Sequence, residues 1–158
     1  MQALRRIATA LCAICAAGAV AGCAQPGGPF FAGVQVPPRV QGHLYIYRPS
    51  VWFTAGAKLP VKVGTVREGE LADNTYLRIA LAPGWYIVDV NGVIQRLQIV
   101  AGRNHFIEVD LSRSTEGLAA LTSNTLATTL SERGVLHVRD EAEALERMRG
   151  LRDESVGR

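Results

Sequence analysis

The sequence predicts a mainly β fold, a small antiparallel β-sandwich of about 5–7 strands carrying a C-terminal α-helix. Three observations point there. Apolar and polar residues alternate in short runs between His43 and Leu111, turn-forming pairs such as Pro83-Gly84, Asn91-Gly92 and Ala101-Gly102 separate the later runs, and the chain ends in an acid-capped amphipathic stretch. A period of two marks a strand with one buried face.

The first run, His43 to Arg48, sets Leu44 and Ile46 against His43, Tyr45 and Tyr47, and Pro49 ends it. Pro60 to Thr65 places Val61 and Val63 together, and Tyr76 to Leu81 sets Leu77, Ile79 and Leu81 against Tyr76, Arg78 and Ala80. Ala82-Pro83-Gly84 has the proline and glycine order of a type II turn. Trp85 to Val90 and Val93 to Val100 flank Asn91-Gly92, the pair most favoured in a two-residue type I′ hairpin because both central residues need positive φ. His105 to Leu111 keeps Ile107, Val109 and Leu111 in phase. Ser112 to Arg133 fits either short helices or a strand and loop, and Leu136 to Val138 reads as extended. Asp140 is placed to cap a helix with Glu143 three residues on. Ala142, Leu145, Met148 and Leu151 form its apolar stripe, and the helix is expected to cover one sheet face or edge. Residues 42–153 amount to one domain.

The start of the chain has a different character. Arg5 and Arg6 precede an apolar run from Ile7 to Val20, which in turn leads to small residues. This is the pattern of an export signal over residues 1–22, and the run falls short of the roughly 20 residues that span a bilayer. Val20-Ala21-Gly22-Cys23 resembles the lipobox of bacterial lipoproteins. That resemblance implies cleavage between Gly22 and Cys23, a diacylglyceryl group on the Cys23 thiol and acylation of the new amine. Three chains on one residue would hold the domain firmly, since two anchoring signals already suffice. In Gram-negative lipoproteins an Asp after the cysteine retains the protein at the inner membrane, and Ala24 therefore implies an outer-membrane address facing the periplasm. Residues 24–41, rich in Pro and Gly, read as a tether reaching up to roughly 50 Å when extended. Phe30 and Phe31 stand out in it: they either dock on the domain or dip into the membrane interface.

With the signal removed, the cysteines and the charge look different. Cys12 and Cys15 lie in the discarded segment, which leaves Cys23 alone and no disulfide. The 17 Lys plus Arg against 14 Asp plus Glu become 15 against 14 once Arg5 and Arg6 are lost. Such a balance gives no footing for nucleic-acid binding.

The segment from His43 to Leu111 also resembles a family of bacterial envelope domains of unknown function, often found in lipoproteins. The matching residues are Leu44-Tyr45-Ile46-Tyr47-Arg48-Pro49, Gly69-Glu70-Leu71, Thr75-Tyr76, Pro83-Gly84-Trp85-Tyr86 and Ala101-Gly102. Leu81 to Val88 is similar to the Leu-x-Pro-Gly-x-Tyr-x-Val rhythm of PEGA-type sandwich modules. One departure is the early hairpin, where the family has Asn-Gly or Asp-Gly and this chain has Val63-Gly64-Thr65-Val66.

No reaction chemistry stands out. Phosphate loops, H-E-x-x-H and G-x-S-x-G are missing. His43 and His105 would be neighbours if the first and last strands pair, but Asp89, Glu108 and Asp110 do not converge on them by spacing, and neither a metal site nor a cofactor is expected. Ser112 and Ser114 lie beyond His105 without a nucleophile's setting. Two aromatic features remain. Trp52 and Phe53 sit in the loop from Ser50 to Gly56, either folded into the core or free for a partner. Tyr45, Tyr47, Tyr76, Arg78, Trp85, Arg96 and Phe106 fall on the non-core side of the sheet, either open to a ligand or covered by the helix. The expected role is a non-enzymatic binding or scaffolding module for another envelope protein or a cell-wall component, with Trp52, Phe53, Tyr45 and Tyr47 as contact candidates. The alternative is a periplasmic hydrolase acting on an envelope polymer.

Overall fold

A computed structural model describes residues 28–51, 56–111 and 134–155. The strands are β1 (Gly42–Arg48), β2 (Leu59–Val63), β3 (Val66–Leu71), β4 (Thr75–Leu81), β5 (Gly84–Val90), β6 (Val93–Ile99), β7 (Asn104–Asp110), β8 (Val135–Arg139) and β9 (Arg152–Asp153), with a single described helix, α1 (Glu141–Arg147), before β9. They build two packed sheets, one ordered β8-β7-β1-β4-β9 and the other β3-β2-β5-β6. The first is called sheet A below and the second sheet B.

The core between the sheets is the set of residues that the alternation puts in phase. Leu44 and Ile46 from β1, Leu77 and Ile79 from β4, and Ile107 and Val109 from β7 meet Val61, Val63, Val88, Val90, Leu97 and Ile99 from sheet B. The mainly β sandwich is therefore as expected, with more strands than expected and two pairings that are not antiparallel. β1 runs parallel to β7, and β4 runs parallel to β9. The chain leaves sheet A after β4 and returns for β7, so β1 and β7 are not hairpin neighbours and need not reverse.

The turns divide into hairpins and sheet crossings. Asn91 and Gly92 take φ of 52° and 85° and join Val90 to Val93, the predicted type I′ hairpin, with the Gly92 amide donating to Asp89 Oδ1 at 2.7 Å. Pro83-Gly84 instead carries the chain from sheet A to sheet B, and Gly84 has φ of 155°, far from the roughly +80° of a type II turn. A sheet crossing needs a more open bend than a hairpin. The early hairpin closes over Gly64-Thr65, and the register then shifts so that Val61 faces Gly69 while Lys62 faces Arg67. Glu68 is the extra residue, and this β-bulge absorbs the length that distinguishes the chain from an Asn-Gly hairpin.

All seven residues of β1 are buried, because sheet A is covered on both faces. A second cluster, Tyr45, Tyr47, Tyr76, Phe106, Ala144, Met148 and Leu151, lies on its outer side, with Phe31 and Val34 packed against it. The helix does cover a sheet face, but its apolar stripe is Ala144, Met148 and Leu151; Ala142 is exposed and Leu145 half-buried. The helix is only seven residues long, so its stripe is set by where the chain meets Tyr47 and Phe106 rather than by a long amphipathic period. Asp140 caps it as expected, accepting from the Glu143 amide at 2.9 Å.

The Pro/Gly-rich segment is not a spacer over its whole length. From Gly28 onward it is a strap laid on the domain. The Gly28 amide donates to Asp153 O, the Asp153 amide to Pro29 O and the Phe31 amide to Leu151 O, at 2.8, 3.0 and 2.8 Å. Phe31 packs edge-on against Tyr76, and the Gln35 amide donates to the Tyr45 hydroxyl at 2.9 Å. An unpaired sheet edge and an exposed aromatic face are both costly, and the strap relieves both.

Gly42 marks where the two sheets pinch together. A Cβ there would lie 2.6 Å from Val100 O and 2.7 Å from Ile99 Cγ2. Gly42→Ala is expected to destabilise the domain by about 2 kcal/mol or more through overpacking. Gly56→Ala, whose Cβ would meet nothing within 4 Å, is expected to leave urea unfolding nearly unchanged.

Candidate functional site

Sheet A's outer face is organised around one buried carboxylate. Glu108 projects outward from β7 beneath α1, where Arg139 Nε donates to Oε2 at 2.8 Å and Arg147 Nη1 to Oε1 at 3.0 Å. The Tyr47 hydroxyl lies 3.4 Å from Oε2. Glu143 closes the network by pairing with Arg139 at 3.0 Å and Arg147 at 3.2 Å. Burial, and then the negative charge of Glu108, push the Tyr47 phenol well above its ordinary range, so it stays protonated and donates. Tyr76 behaves likewise, raised by burial and then by Asp153, to which its hydroxyl donates at 3.1 Å. These contacts fasten the helix and β9 onto the sheet.

A groove of about 500 Å³ opens at the start of β7, between the strap at Val34, Val36 and Pro37 and the β8–α1 junction at Arg139, Asp140 and Glu141. Asn104 and His105 form part of its wall. The register puts His43 opposite Asn104 and Leu44 opposite His105, so the two histidines do lie on neighbouring strands. They do not act together. The Val100 amide donates to His105 Nε2 at 2.9 Å, which ties the ring to the β6–β7 turn in its neutral form. Burial, helped by the positive charge of Arg103, pulls the His105 pKa below its usual 6.5. His43 Nδ1 and Asn104 Oδ1 are buried, and neither has a hydrogen-bond partner among the described residues. Among those same residues no three His, Cys, Asp or Glu side chains come together as a metal site would require.

The expected aromatic patch is divided between the two sheets. Tyr45, Tyr47, Tyr76 and Phe106 lie under the helix and strap, with Tyr45 at 1% and Tyr47 at 0% exposure, so neither of these two contact candidates reaches the surface. Arg78 is half-buried at the margin, its amide donating to Ser155 Oγ at 2.7 Å. Trp85 and Arg96 belong to the outer face of sheet B, where the Arg96 guanidinium sits 4.5 Å over the Trp85 ring. Strand alternation tells which residues share a side of their own strand, and only the topology tells which sheet that strand joins.

Among the described residues, no helix or strap lies on the outer face of sheet B. Trp85 at 59% and Ile94 at 65% are exposed, with Ile87 between them, and the register sets Ile87 opposite Arg96 and Asp89 opposite Ile94. Lys62 extends the face on β2 beside Asp89. An apolar and aromatic strip rimmed by charges is the composition of a recognition surface.

Trp52 and Phe53, Ser112 and Ser114, and Gly22 and Cys23 fall outside the described residues. Both feet of the connection that carries Trp52 and Phe53 are fixed. The fully buried Arg48 donates to Ala57 O at 2.7 Å and lies 3.5 Å from Asp73. Asp73 in turn accepts from Ser50 Oγ at 2.7 Å and the Val51 amide at 3.1 Å.

A family model described as a protein of unknown function (DUF2846) matches residues 39–120. The chain belongs to that family. The DUF2846 match covers β1 to β7, while the strap residues 28–38, β8, α1 and β9 all lie outside it. The elements that seal sheet A thus lie outside the matched residues. No curated protein and no solved structure matches the chain.

Sequence reasoning missed the Glu108 network. Part of it was visible, because Glu143 and Arg147 are spaced i, i+4 on one helical face and Arg139 precedes Glu143 by the same interval. Glu108→Ala leaves two arginines and a phenol without their shared acceptor and is expected to cost about 3 kcal/mol, the low end for a broken buried pair because Arg147 still reaches water. Glu70→Ala, which breaks the exposed Arg67–Glu70 pair, is expected to cost well under about 1 kcal/mol in the same denaturation series.

His105 gives a pH signature. Because its folded pKa lies below 6.5, the unfolded chain takes up the proton first as pH falls. The stability associated with the neutral ring is complete above that value and is lost progressively below it, until the native pKa is reached. Melting temperatures of the native chain and His105→Gln should therefore diverge less at pH 5 than at pH 7.5, with the native chain falling faster.

Proposed function

We propose that this DUF2846 member is a lipid-anchored envelope protein that binds another envelope protein through the outer face of sheet B and catalyses no reaction. The anchor rests on Val20-Ala21-Gly22-Cys23 and the apolar segment before it. The binding role rests on one observation: the fold invests a helix, a strap and an ion network in covering the aromatic face of sheet A, yet leaves Trp85, Ile87 and Ile94 open on sheet B. An uncovered apolar strip of this kind is favoured where a second surface completes it.

The hydrolase reading would place its chemistry in the groove. The groove's described lining contains no Ser, Thr or Cys for His105 to activate, and the lone pair of His105 Nε2 already receives the Val100 amide. Asp140, the acid beside it, is engaged as the helix cap.

The two parts of the proposal are tested separately. Cys23→Ser is expected to abolish acyl labelling and leave a soluble or uncut chain, and persistent labelling would overturn the anchor. For the face, a photoreactive residue at position 94 is expected to crosslink a defined envelope protein in intact cells. Trp85→Ser should remove that adduct with the melting temperature within about 2 °C of the parent, as for a surface substitution. An adduct unaffected by Trp85→Ser, or lipid adducts alone, would overturn the binding role.

A further inference from the structure

We propose that the β9 edge of the sandwich rests on the bilayer, with Phe30 inserted at the headgroup boundary and Arg152 beside it on the phosphates. This rests on the anchored reading above and gives the domain its orientation.

Distance supplies the first argument. Cys23 precedes Gly28 by five residues, and five fully extended residues span at most about 18 Å. Gly28 is already bonded to Asp153 at the outermost edge of sheet A. A lipid on Cys23 therefore cannot hold the domain at arm's length. It holds this edge within about 18 Å of the lipidated cysteine, and the headgroup layer takes up about 5–7 Å of that reach.

The surface chemistry of that edge supplies the second. The strap carries two adjacent phenylalanines with opposite fates: Phe31 is packed against Tyr76, whereas Phe30 is 58% exposed. Phe30 pairs across the edge with Arg152, whose guanidinium sits 4.1 Å from the centre of its ring. Arg152 has no carboxylate partner among the described residues, so its charge is available to a phosphate. An aromatic ring at the acyl boundary with an arginine reaching to the headgroups is a pairing that membrane interfaces favour. Pro29, exposed in the same turn of chain, adds apolar surface without an amide hydrogen to satisfy.

The test uses the full chain with Phe30→Trp as sole tryptophan, excited selectively over the tyrosines, Trp52 and Trp85 being changed to Phe, in vesicles of phosphatidylethanolamine and phosphatidylglycerol. Immersion by roughly 5–10 Å predicts at least about a twofold loss of emission with lipids brominated near the carbonyl, and protection from iodide. A chain of the same background with Trp85 retained and Phe30 native should show neither effect. Equal iodide access for the two reporters, or no bromolipid quenching at position 30, would overturn the docking. Acyl labelling of the same preparation reports on the anchor independently. An unlabelled chain refutes the anchor, and its quenching on added vesicles still decides whether the edge binds lipid.

Discussion

The whole architecture follows from β1 having two apolar faces. Leu44 and Ile46 enter the sandwich core while Tyr45 and Tyr47 point the other way, and a strand of that kind must be covered twice. Sheet B covers the first side. The second requires a further layer, and the chain assembles it from three separate pieces: the strap, the short helix and the two residues of β9. None would hold by itself. A helix of seven residues is too short to be stable alone, and two residues make no strand without a neighbour. Each is stabilised by the tyrosine face it covers.

Glu108 gives that layer its register. Apolar contacts between Met148, Leu151 and the aromatic rings would tolerate sliding, whereas a carboxylate held by two arginines and a phenol permits one placement. Burying such a group is unfavourable unless its acceptor capacity is filled, and here three donors surround it. The ion network is thus better read as a device for position than as a source of stability. Asp73 plays a comparable part beyond the end of β1, fixing the chain near Ser50 and Val51 against the buried Arg48.

The strands with clear alternation and the Asn91-Gly92 hairpin were legible because they depend on neighbours within a few residues, whereas β3 and β9 carry no such pattern. The helix cap was legible for the same reason. What could not be read was every feature that joins distant parts of the chain. Alternation placed Tyr45 and Trp85 on the non-core side of their strands, but could not show that these sides face away from each other. The composition of residues 28–37 correctly signalled the lack of helix or strand period, yet their backbone bonds go to residues at the far end of the sequence. Glu108 looked like a polar position on an exposed face until the two arginines arrived from beyond residue 134. The same local logic made Phe30 and Phe31 conspicuous without separating their roles.

The pairing of Gly28 with Asp153 has a kinetic consequence. A contact between residues so distant in sequence closes a very large loop, and such contacts form late. The strands of the sandwich can associate as they become available, but the aromatic side of β1 stays bare until Leu151 to Asp153 have arrived and the strap can be laid down. Folding of this protein is therefore completed on the outer side of sheet A, and during that interval the bare tyrosine face is the surface a chaperone would meet.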